Sequence, residues 1–324
     1  LDYIYVVGDV TSFLGALQLN VKRVKKMSET DVNPSDYLPV SEYNIEEMYQ
    51  KLLAYIAQMK HPYLKQLAES FFADADFAKR FQFHSAAKSV HHGFVGGLLE
   101  HTLHVTQICD FFSKLYPMLN RDLLLTAAMF HDIGKLKKPE YFTENNIETA
   151  NMHEDISPAM SAIILRSHVE DGVELAREYR LPRMVRDMIQ RHHGTDVMRF
   201  FYNKAVEQAN GASVPQAQYS YPGPLPATKE EAIVCLADAC EAACRSLKHP
   251  TAGNIETMVN NIFQGKVAAG QLDNAKVSIA ELAGIKESFI HTLTTMYHTR
   301  IAYPAKKGDK KVEDKLPVAN HKTP

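Results

Sequence analysis

The stretch His131-Asp132-Ile133-Gly134-Lys135 decides how this chain is interpreted. A histidine followed directly by an aspartate can place an imidazole on one metal ion and a carboxylate across two. Gly134 ends a helix that the apolar pattern predicts over residues 123–131, and Asn120 is its predicted N-cap. We therefore expect His131 and Asp132 in the last turn of a helix that faces a neighbouring helix.

Other histidines and one aspartate surround this stretch and complete a set of candidate metal ligands. Each lies at or near a predicted helix end and beside a small residue or a turn. In helical bundles, metal sites are built from side chains on several facing helices. A lone histidine at a helix end is more often an exposed surface residue, so the prediction depends on the whole set. The candidates are His101, His131, Asp132, His168, His192, His193 and Asp238.

Imidazole and carboxylate ligands without a thiolate favour first-row divalent ions, with Mn or Fe expected first and Co, Ni or Zn as alternatives. Two such ions held about 3.5–4 Å apart clamp a phosphate and lower the pKa of a bridging water, and the resulting hydroxide attacks phosphorus in line. Asp132 is the expected bridge and a catalytic residue. Lys135 is the second predicted catalytic residue, because it can neutralise a non-bridging phosphate oxygen. The alternative for Lys135 is a solvated lysine near a helix C-terminus.

Basic residues gather around the motif and on the helix before the His192-His193 pair. Charged side chains on a helix usually form a solvated face. A local positive rim beside aromatic residues also suits a nucleotide or a short oligonucleotide. The residues predicted to contact substrate are Lys135, Lys138, His153 and Arg191.

The composition is that of an ordinary globular protein, with 45% hydrophobic and 23% charged residues among 324. A net charge of -2 gives no general attraction to nucleic acid. No apolar run approaches the roughly 18 residues of a membrane span, and no signal segment is recognisable. We expect a cytoplasmic protein without a membrane segment; a homo-oligomer is one of the open oligomeric states. No C-x-x-C pair is present, so buried thiols are expected at Cys109, Cys235, Cys240 and Cys244.

The pattern predicts a mainly α fold preceded by a short β segment. Residues 1–29 read as a partial OB-like segment with strands over 3–9 and 16–24, in which Leu17, Leu19 and Val21 face inward. Residues 30–43 read as a linker, residues 44–304 as a helical domain, and residues 305–324 as a disordered tail. The predicted helices include one from Leu98 through Phe112 and others from Pro158, from Pro182 and over 229–247. Three more are predicted around 254–263, 279–283 and 286–297.

Two resemblances can be stated on these motifs, and both lie in the HD superfamily of metal-dependent phosphohydrolases. Residues 1 to about 135 resemble the YhaM-type 3′–5′ exoribonucleases through His91-His92-Gly93-Phe94-Val95-Gly96-Gly97-Leu98 and the His131-Asp132 pair. Residues from about 132 to 304 resemble the HD domain of PgpH-type cyclic-di-AMP phosphodiesterases. That second match is denser. It is carried by Lys138-Pro139-Glu140-Tyr141-Phe142, His192-His193-Gly194-Thr195, Tyr221-Pro222-Gly223-Pro224 and Ala237-Asp238.

The PgpH resemblance implies how the candidate ligands divide between two metals. His101, His131, Asp132 and Asp238 would hold one ion, and Asp132, His168, His192 and His193 the other. PgpH proteins carry membrane helices before this domain, whereas no such segment occurs in this sequence. The two resemblances meet at the His131–Lys135 motif, as in a natural or artificial composite of two families.

Three functions follow, in order of preference. The first is a dinuclear-metal phosphodiesterase that opens the 3′–5′ linkage of a cyclic dinucleotide such as cyclic-di-AMP. The second is a 3′–5′ exoribonuclease on single-stranded RNA or DNA. The third is a nucleotide-binding regulatory module with an inactive site, against which the full ligand set argues.

Overall fold

A computed structural model describes residues 4–13, 16–27, 43–83, 96–138, 156–247 and 250–298. Within these ranges the protein consists of a β-hairpin followed by eleven α-helices. The strands are β1 (Ile4–Phe13) and β2 (Ala16–Lys26). The helices are α1 (Ile45–Ala57), α2 (Pro62–Phe72), α3 (Ala75–Gln82), α4 (Gly97–Leu115), α5 (Arg121–Phe130), α6 (Pro158–Glu178), α7 (Arg183–Arg191), α8 (Arg199–Gln208), α9 (Lys229–Arg245), α10 (Ala252–Ala268) and α11 (Ile279–His298).

The mainly α fold is confirmed, and several helix starts lie where capping residues predict them. Asn44, Asn120 and Ser157 each accept a hydrogen bond from a backbone amide of the first turn. Thr228 and Glu231 form a reciprocal capping box at the start of α9. Two 3-10 turns, Ile133–Lys137 and Gln216–Tyr219, complete the regular elements described.

Helix α5 is the centre of the core. Every residue from Asp122 to Phe130 is buried, as expected for a helix surrounded on all sides. Helices α2, α4, α7 and α9 pack around it. The C-terminal end of α5, where the His-Asp pair lies, is therefore held from several directions. All four cysteines are buried and unpaired, as predicted.

The hairpin pairs β1 with β2 in antiparallel register, with a bulge at Val7/Gly8. One face carries Val10 opposite Leu19 and Val6 opposite Val24. The expectation that Leu17, Leu19 and Val21 face inward is wrong for the described residues, since their exposure is 80%, 52% and 52%. The alternation of side chains is as predicted, but no described element covers the apolar face.

No helix among the described residues combines the length and the apolar character needed to cross a membrane. The predicted linker falls almost wholly, and the predicted tail wholly, outside the described residues. The division of the chain into these segments stays a prediction.

Candidate metal centre

Five separate segments bring seven imidazole and carboxylate side chains to one place. The N-terminal half of α4 supplies His101, and α9 supplies Asp238. His131 caps the C-terminus of α5, and Asp132 follows it. Helix α6 supplies His168, and His192 and His193 follow the last turn of α7. All are buried except His193, whose side chain is 18% exposed.

One group of ligand atoms gathers around Oδ2 of Asp132. Nε2 of His101 lies 3.3 Å from this oxygen, and Nε2 of His131 lies 3.4 Å from it. The same two nitrogens are 3.2 Å apart. Oδ1 of Asp238 completes the group, 3.2 Å from Nε2 of His101 and 3.8 Å from Nε2 of His131.

A second group gathers around the other carboxylate oxygen of Asp132. Nε2 of His168 and Nε2 of His192 lie 3.4 Å and 3.6 Å from Oδ1, and 3.2 Å from each other. His193 offers the fourth ligand atom of this group, since one atom from each of the four residues lies within 4.8 Å of the others. Its Nδ1 is also 3.3 Å from Oδ2 of Asp238. Asp132 is thus common to both groups, with one oxygen directed to each.

The histidine rings are oriented by hydrogen bonds from the nitrogen that faces away from the centre. Nδ1 of His131, His168 and His192 donates to the carbonyl oxygen three residues earlier, at 2.8, 2.5 and 2.7 Å. A carbonyl oxygen only accepts, so each Nδ1 carries the proton and each Nε2 presents a lone pair. This arrangement is typical of metal-bound histidine.

His101 is oriented by a carboxylate instead. Its Nδ1 donates to Oε2 of Glu241 at 2.5 Å, and Nδ1 of His104 donates to Oε1 at 2.9 Å. Arg245 forms an ion pair with the same carboxylate. Burial would raise the pKa of Glu241, but Arg245 and His101 outweigh it and hold that pKa well below its usual range. Glu241 is therefore a buried anion that fixes the ring of His101.

The electrostatics of the centre favour a cation in each group. Both carboxylate oxygens of Asp132 are buried; Oδ2 pairs with the ammonium of Lys135 at 2.6 Å, whereas no hydrogen-bond donor among the described residues satisfies Oδ1. Burial would raise the pKa of Asp132, but Lys135 and His131 hold it well below its usual range. Burial lowers the pKa of His168 to about 3, so this ring is neutral at physiological pH. Lone pairs that converge in a buried space, beside a carboxylate that one lysine satisfies only in part, are costly unless a cation lies among them.

The spacing of the ligand atoms also fits metal ions. Ligand atoms about 2.1 Å from one ion are separated by about 3.0–3.4 Å along the edges of an octahedron or tetrahedron. The separations of 3.2 to 3.8 Å measured within the two groups are close to these values. The residues therefore fit one cation in each group, while their role as ligands stays a prediction.

Gly134 lets the motif pack directly against α6. A Cβ atom on Gly134 would lie 1.8 Å from the carbonyl oxygen of His168 and 2.5 Å from the amide nitrogen of Gly172. Only a residue without a side chain allows this approach. The contact fixes the 3-10 turn Ile133–Lys137, and with it Asp132 and Lys135, relative to His168.

The predicted substrate contacts are distributed unevenly. Lys135 lies at the centre, with Nζ 2.6 Å from Oδ2 of Asp132. Nζ of Lys138 donates to Oγ of Ser167 and to Asp171 on α6. Arg191 donates to the carbonyl oxygen of Leu225 at 2.9 Å, and so contacts the loop before α9. The prediction for His153 lies outside the described residues.

Sequence reasoning missed several residues that support the centre. Glu241 follows Asp238 by three positions on α9 and so lies on the same helix face. This spacing could have identified it. The ring of Tyr221 stacks on His193 with centroids 4.1 Å apart. Lys266 and Gln271 contact the turn after His193, and no spacing in the sequence points to them.

Comparisons with known proteins place this centre in a family. The HD domain model matches residues 98–243, which include all seven candidate ligands. The cyclic-di-AMP phosphodiesterase PgpH of Bacillus subtilis is 39% identical over 182 residues, which is 56% of this chain and 25% of that protein. The match thus spans about a quarter of PgpH. The 3′–5′ exoribonuclease YhaM of Bacillus subtilis is 34% identical over 134 residues, 41% of this chain and 42% of YhaM.

A solved structure resembles the helical part more completely. It is the HD domain of Listeria monocytogenes PgpH in complex with cyclic-di-AMP. The superposition has a TM-score of 0.58 at 34% identity, and it covers 61% of this chain and 91% of that one.

Proposed function

Because this chain belongs to the HD-domain family, we propose that it is a metal-dependent phosphodiesterase that hydrolyses the 3′–5′ linkage of a cyclic dinucleotide such as cyclic-di-AMP. The observation that carries the proposal is the pair of ligand groups that share Asp132. The PgpH domain bound to cyclic-di-AMP supports the substrate class, since this chain covers nearly all of that domain.

The proposed chemistry assigns a task to each part of the centre. The two groups would hold two divalent cations, Mn or Fe by preference, which when bound polarise a phosphate and make water acidic enough to attack it. The bonds from Nδ1 keep each Nε2 of His131, His168 and His192 aimed at the centre without rearrangement. Asp132 joins the groups and keeps them at a fixed separation.

Lys135 supplies the positive charge closest to the reacting groups. Its ammonium already pairs with Asp132, and its side chain is 12% exposed. A phosphate at the centre would offer a second anionic partner within reach of the same ammonium. Lys135 thus binds and orients a non-bridging phosphate oxygen. Lys138 is more exposed and stays a proposed contact at the rim, so Lys138→Ala should raise KM with little change in kcat.

A direct test compares substrates under identical conditions. The purified chain is loaded with Mn²⁺ and given cyclic-di-AMP or a short single-stranded RNA, and the products are separated by chromatography. We expect conversion of cyclic-di-AMP to the linear dinucleotide and much slower shortening of the RNA. Shortening of the RNA alone would show the substrate class to be wrong.

A second candidate function is a 3′–5′ exoribonuclease. It is favoured by the 34% identity to YhaM over 134 residues. The same experiment separates the two, since an exonuclease releases mononucleotides from an RNA end. Metal analysis addresses the remaining alternative, a regulatory module without catalysis. Fewer than about one ion per chain would favour that module.

A further inference from the structure

The turn that follows His193 is held by side chains from outside the two ligand groups. Oε1 of Gln271 accepts a hydrogen bond from the amide nitrogen of Thr195 at 2.9 Å, and Nε2 of Gln271 donates to Oγ1 of Thr195 at 2.9 Å. The amide oxygen and the amide nitrogen of the Gln271 side chain therefore both bind Thr195. Gln271 is buried, with 3% of its surface exposed. Thr195 lies two positions after His193.

Lys266, on the last turn of α10, holds the next residue of the turn. Its ammonium is 2.6 Å from Oδ2 of Asp196 and donates to Sγ of Cys235 at 3.2 Å. Lys266 is 5% exposed. Burial would lower its pKa, but Cys235 and Asp196 raise it above its usual value, so the side chain stays charged. Cys235 is one turn before Asp238 on α9, so Lys266 connects the turn to the helix that carries a candidate ligand.

Tyr221 is hydrogen-bonded to the same turn. The amide of Tyr221 donates to the carbonyl oxygen of Asp196 at 2.9 Å, and Val197 and Ser220 form a β-bridge. The ring of Tyr221 then stacks on His193 at 4.1 Å. Movement of the turn would displace both rings together.

His193 needs such support more than the other candidate histidines. His131, His168 and His192 are each oriented by a carbonyl oxygen of their own helix, and His101 by Glu241. His193 lies beyond the end of α7, and its Nδ1 faces Asp238 at 3.3 Å. A buried lysine is costly and stabilises a fold no better than apolar packing. The contribution of the Lys266–Asp196 pair is therefore to geometry rather than to stability.

We propose that Lys266 and Gln271 are positioning residues that hold the turn 194–196 so that His193 completes the Asp132–His168–His192 group and sets its affinity for a cation. This inference rests on the proposed function in one respect, that each group holds an ion. The group with Asp238 has two carboxylates and should fill first. The group with His193 has only the shared carboxylate and should fill second.

The proposal is tested by titrating the metal-free full chain with Mn²⁺. Binding is measured by calorimetry, and the electron paramagnetic resonance signal of a coupled manganese pair reports when both groups are filled. For the native chain we expect two binding steps. Gln271→Met should weaken the second step by about 10- to 100-fold and leave the first within about twofold. Lys266→Met should act in the same direction. Gln271→Glu keeps an acceptor for the Thr195 amide and should restore most of the second step.

A matched control separates positioning from general destabilisation. Arg121→Met removes a partly buried ion pair with Asp110, 2.6 Å long, between α4 and the start of α5. It should lower the melting temperature without changing either binding step. If Gln271→Met leaves both steps unchanged, or if Arg121→Met weakens the second step equally, the inference is wrong.

A metal-free measurement distinguishes this inference from the proposed function. In the metal-free chain, Gln271→Met should speed hydrogen exchange at the Thr195 amide and shift the ring resonances of His193. If the native chain binds no Mn²⁺, the proposed function fails, and the exchange and the ring shifts still decide whether the turn is positioned. Unchanged exchange and unchanged shifts would overturn the inference.

Discussion

At the scale of single residues, Asp132 is the candidate ligand that both groups share. Its two buried oxygens face different ligand groups, and Oδ2 also pairs with the ammonium of Lys135. We predict that Asp132→Ala abolishes turnover and lowers the metal content, because both groups lose a ligand at once. Metal analysis by mass spectrometry and an assay with cyclic-di-AMP measure the two effects.

The control for this substitution is Asp187→Ala. Asp187 pairs with Arg183 on the surface of α7 at 3.4 Å and belongs to neither ligand group. Turnover and metal content should stay close to those of the native chain. An Asp132→Ala protein with near-native activity would refute the bridging role.

Substitution of Glu241 tests whether the orientation of the His101 ring contributes to metal affinity. Glu241→Gln keeps the shape but removes the charge that holds two imidazoles and Arg245. We predict about 10- to 100-fold weaker binding of the first metal ion. Glu241→Ala should in addition destabilise the fold by about 3–5 kcal/mol, because the buried guanidinium of Arg245 loses its contact with the Glu241 carboxylate. Mn²⁺ titration and urea unfolding measure these effects, and equal metal affinity in all three proteins would contradict the prediction.

The sequence identified the candidate ligands but not the residues that support them. Histidine and aspartate next to helix ends are recognisable by type and position, and the structure brings all seven together. Lys266 could not be found in this way. A lysine near the end of a helix reads as a solvated residue, and only the packing of α10 against α9 shows that it is buried.

At the scale of elements, the contact between the 3-10 turn Ile133–Lys137 and α6 determines where the motif lies. Gly134→Ala would place a methyl group 1.8 Å from the carbonyl oxygen of His168. We predict a loss of stability of about 1–3 kcal/mol or more, together with loss of activity, because the turn must move away from His168. Urea unfolding and the cyclic-di-AMP assay measure both.

Gly265→Ala is the matched substitution. Gly265 lies within α10, and a Cβ atom there would have no neighbour within 4 Å. Alanine should stabilise this helix by up to about 1 kcal/mol. If both substitutions changed stability by the same amount, the close approach of Gly134 would not be the cause.

The C-terminal helices were not predicted correctly from the local sequence pattern. The sequence predicts two helices, around 279–283 and 286–297, and Gly284 lies in the gap between them. This is wrong, since α11 runs unbroken from Ile279 to His298. A Cβ atom on Gly284 would lie 1.8 Å from the hydroxyl oxygen of Tyr116. The glycine therefore accommodates a side chain from the end of α4 rather than ending a helix, a tertiary effect that pattern cannot show.

At the scale of the whole molecule, the centre joins α4, α5, α6, α7 and α9. Removal of metal should therefore destabilise the entire fold. We predict that chelation lowers the melting temperature relative to the Mn²⁺-loaded protein, because each ion present at about 1,000 times its Kd contributes about 4 kcal/mol. Scanning calorimetry with EDTA and with excess Mn²⁺ measures the shift. Equal melting temperatures would show that the ligand groups hold no ion.

The shared carboxylate has a further consequence for how activity depends on metal supply. If one group held an ion, the charge on Asp132 available to the other group would be smaller, and that group would attract its own ion less strongly. At scarce metal most molecules would then be half-loaded, with turnover lagging behind total metal content. Activity would then rise only above the metal concentration at which the second group fills, although the first group would already hold its ion at lower concentrations.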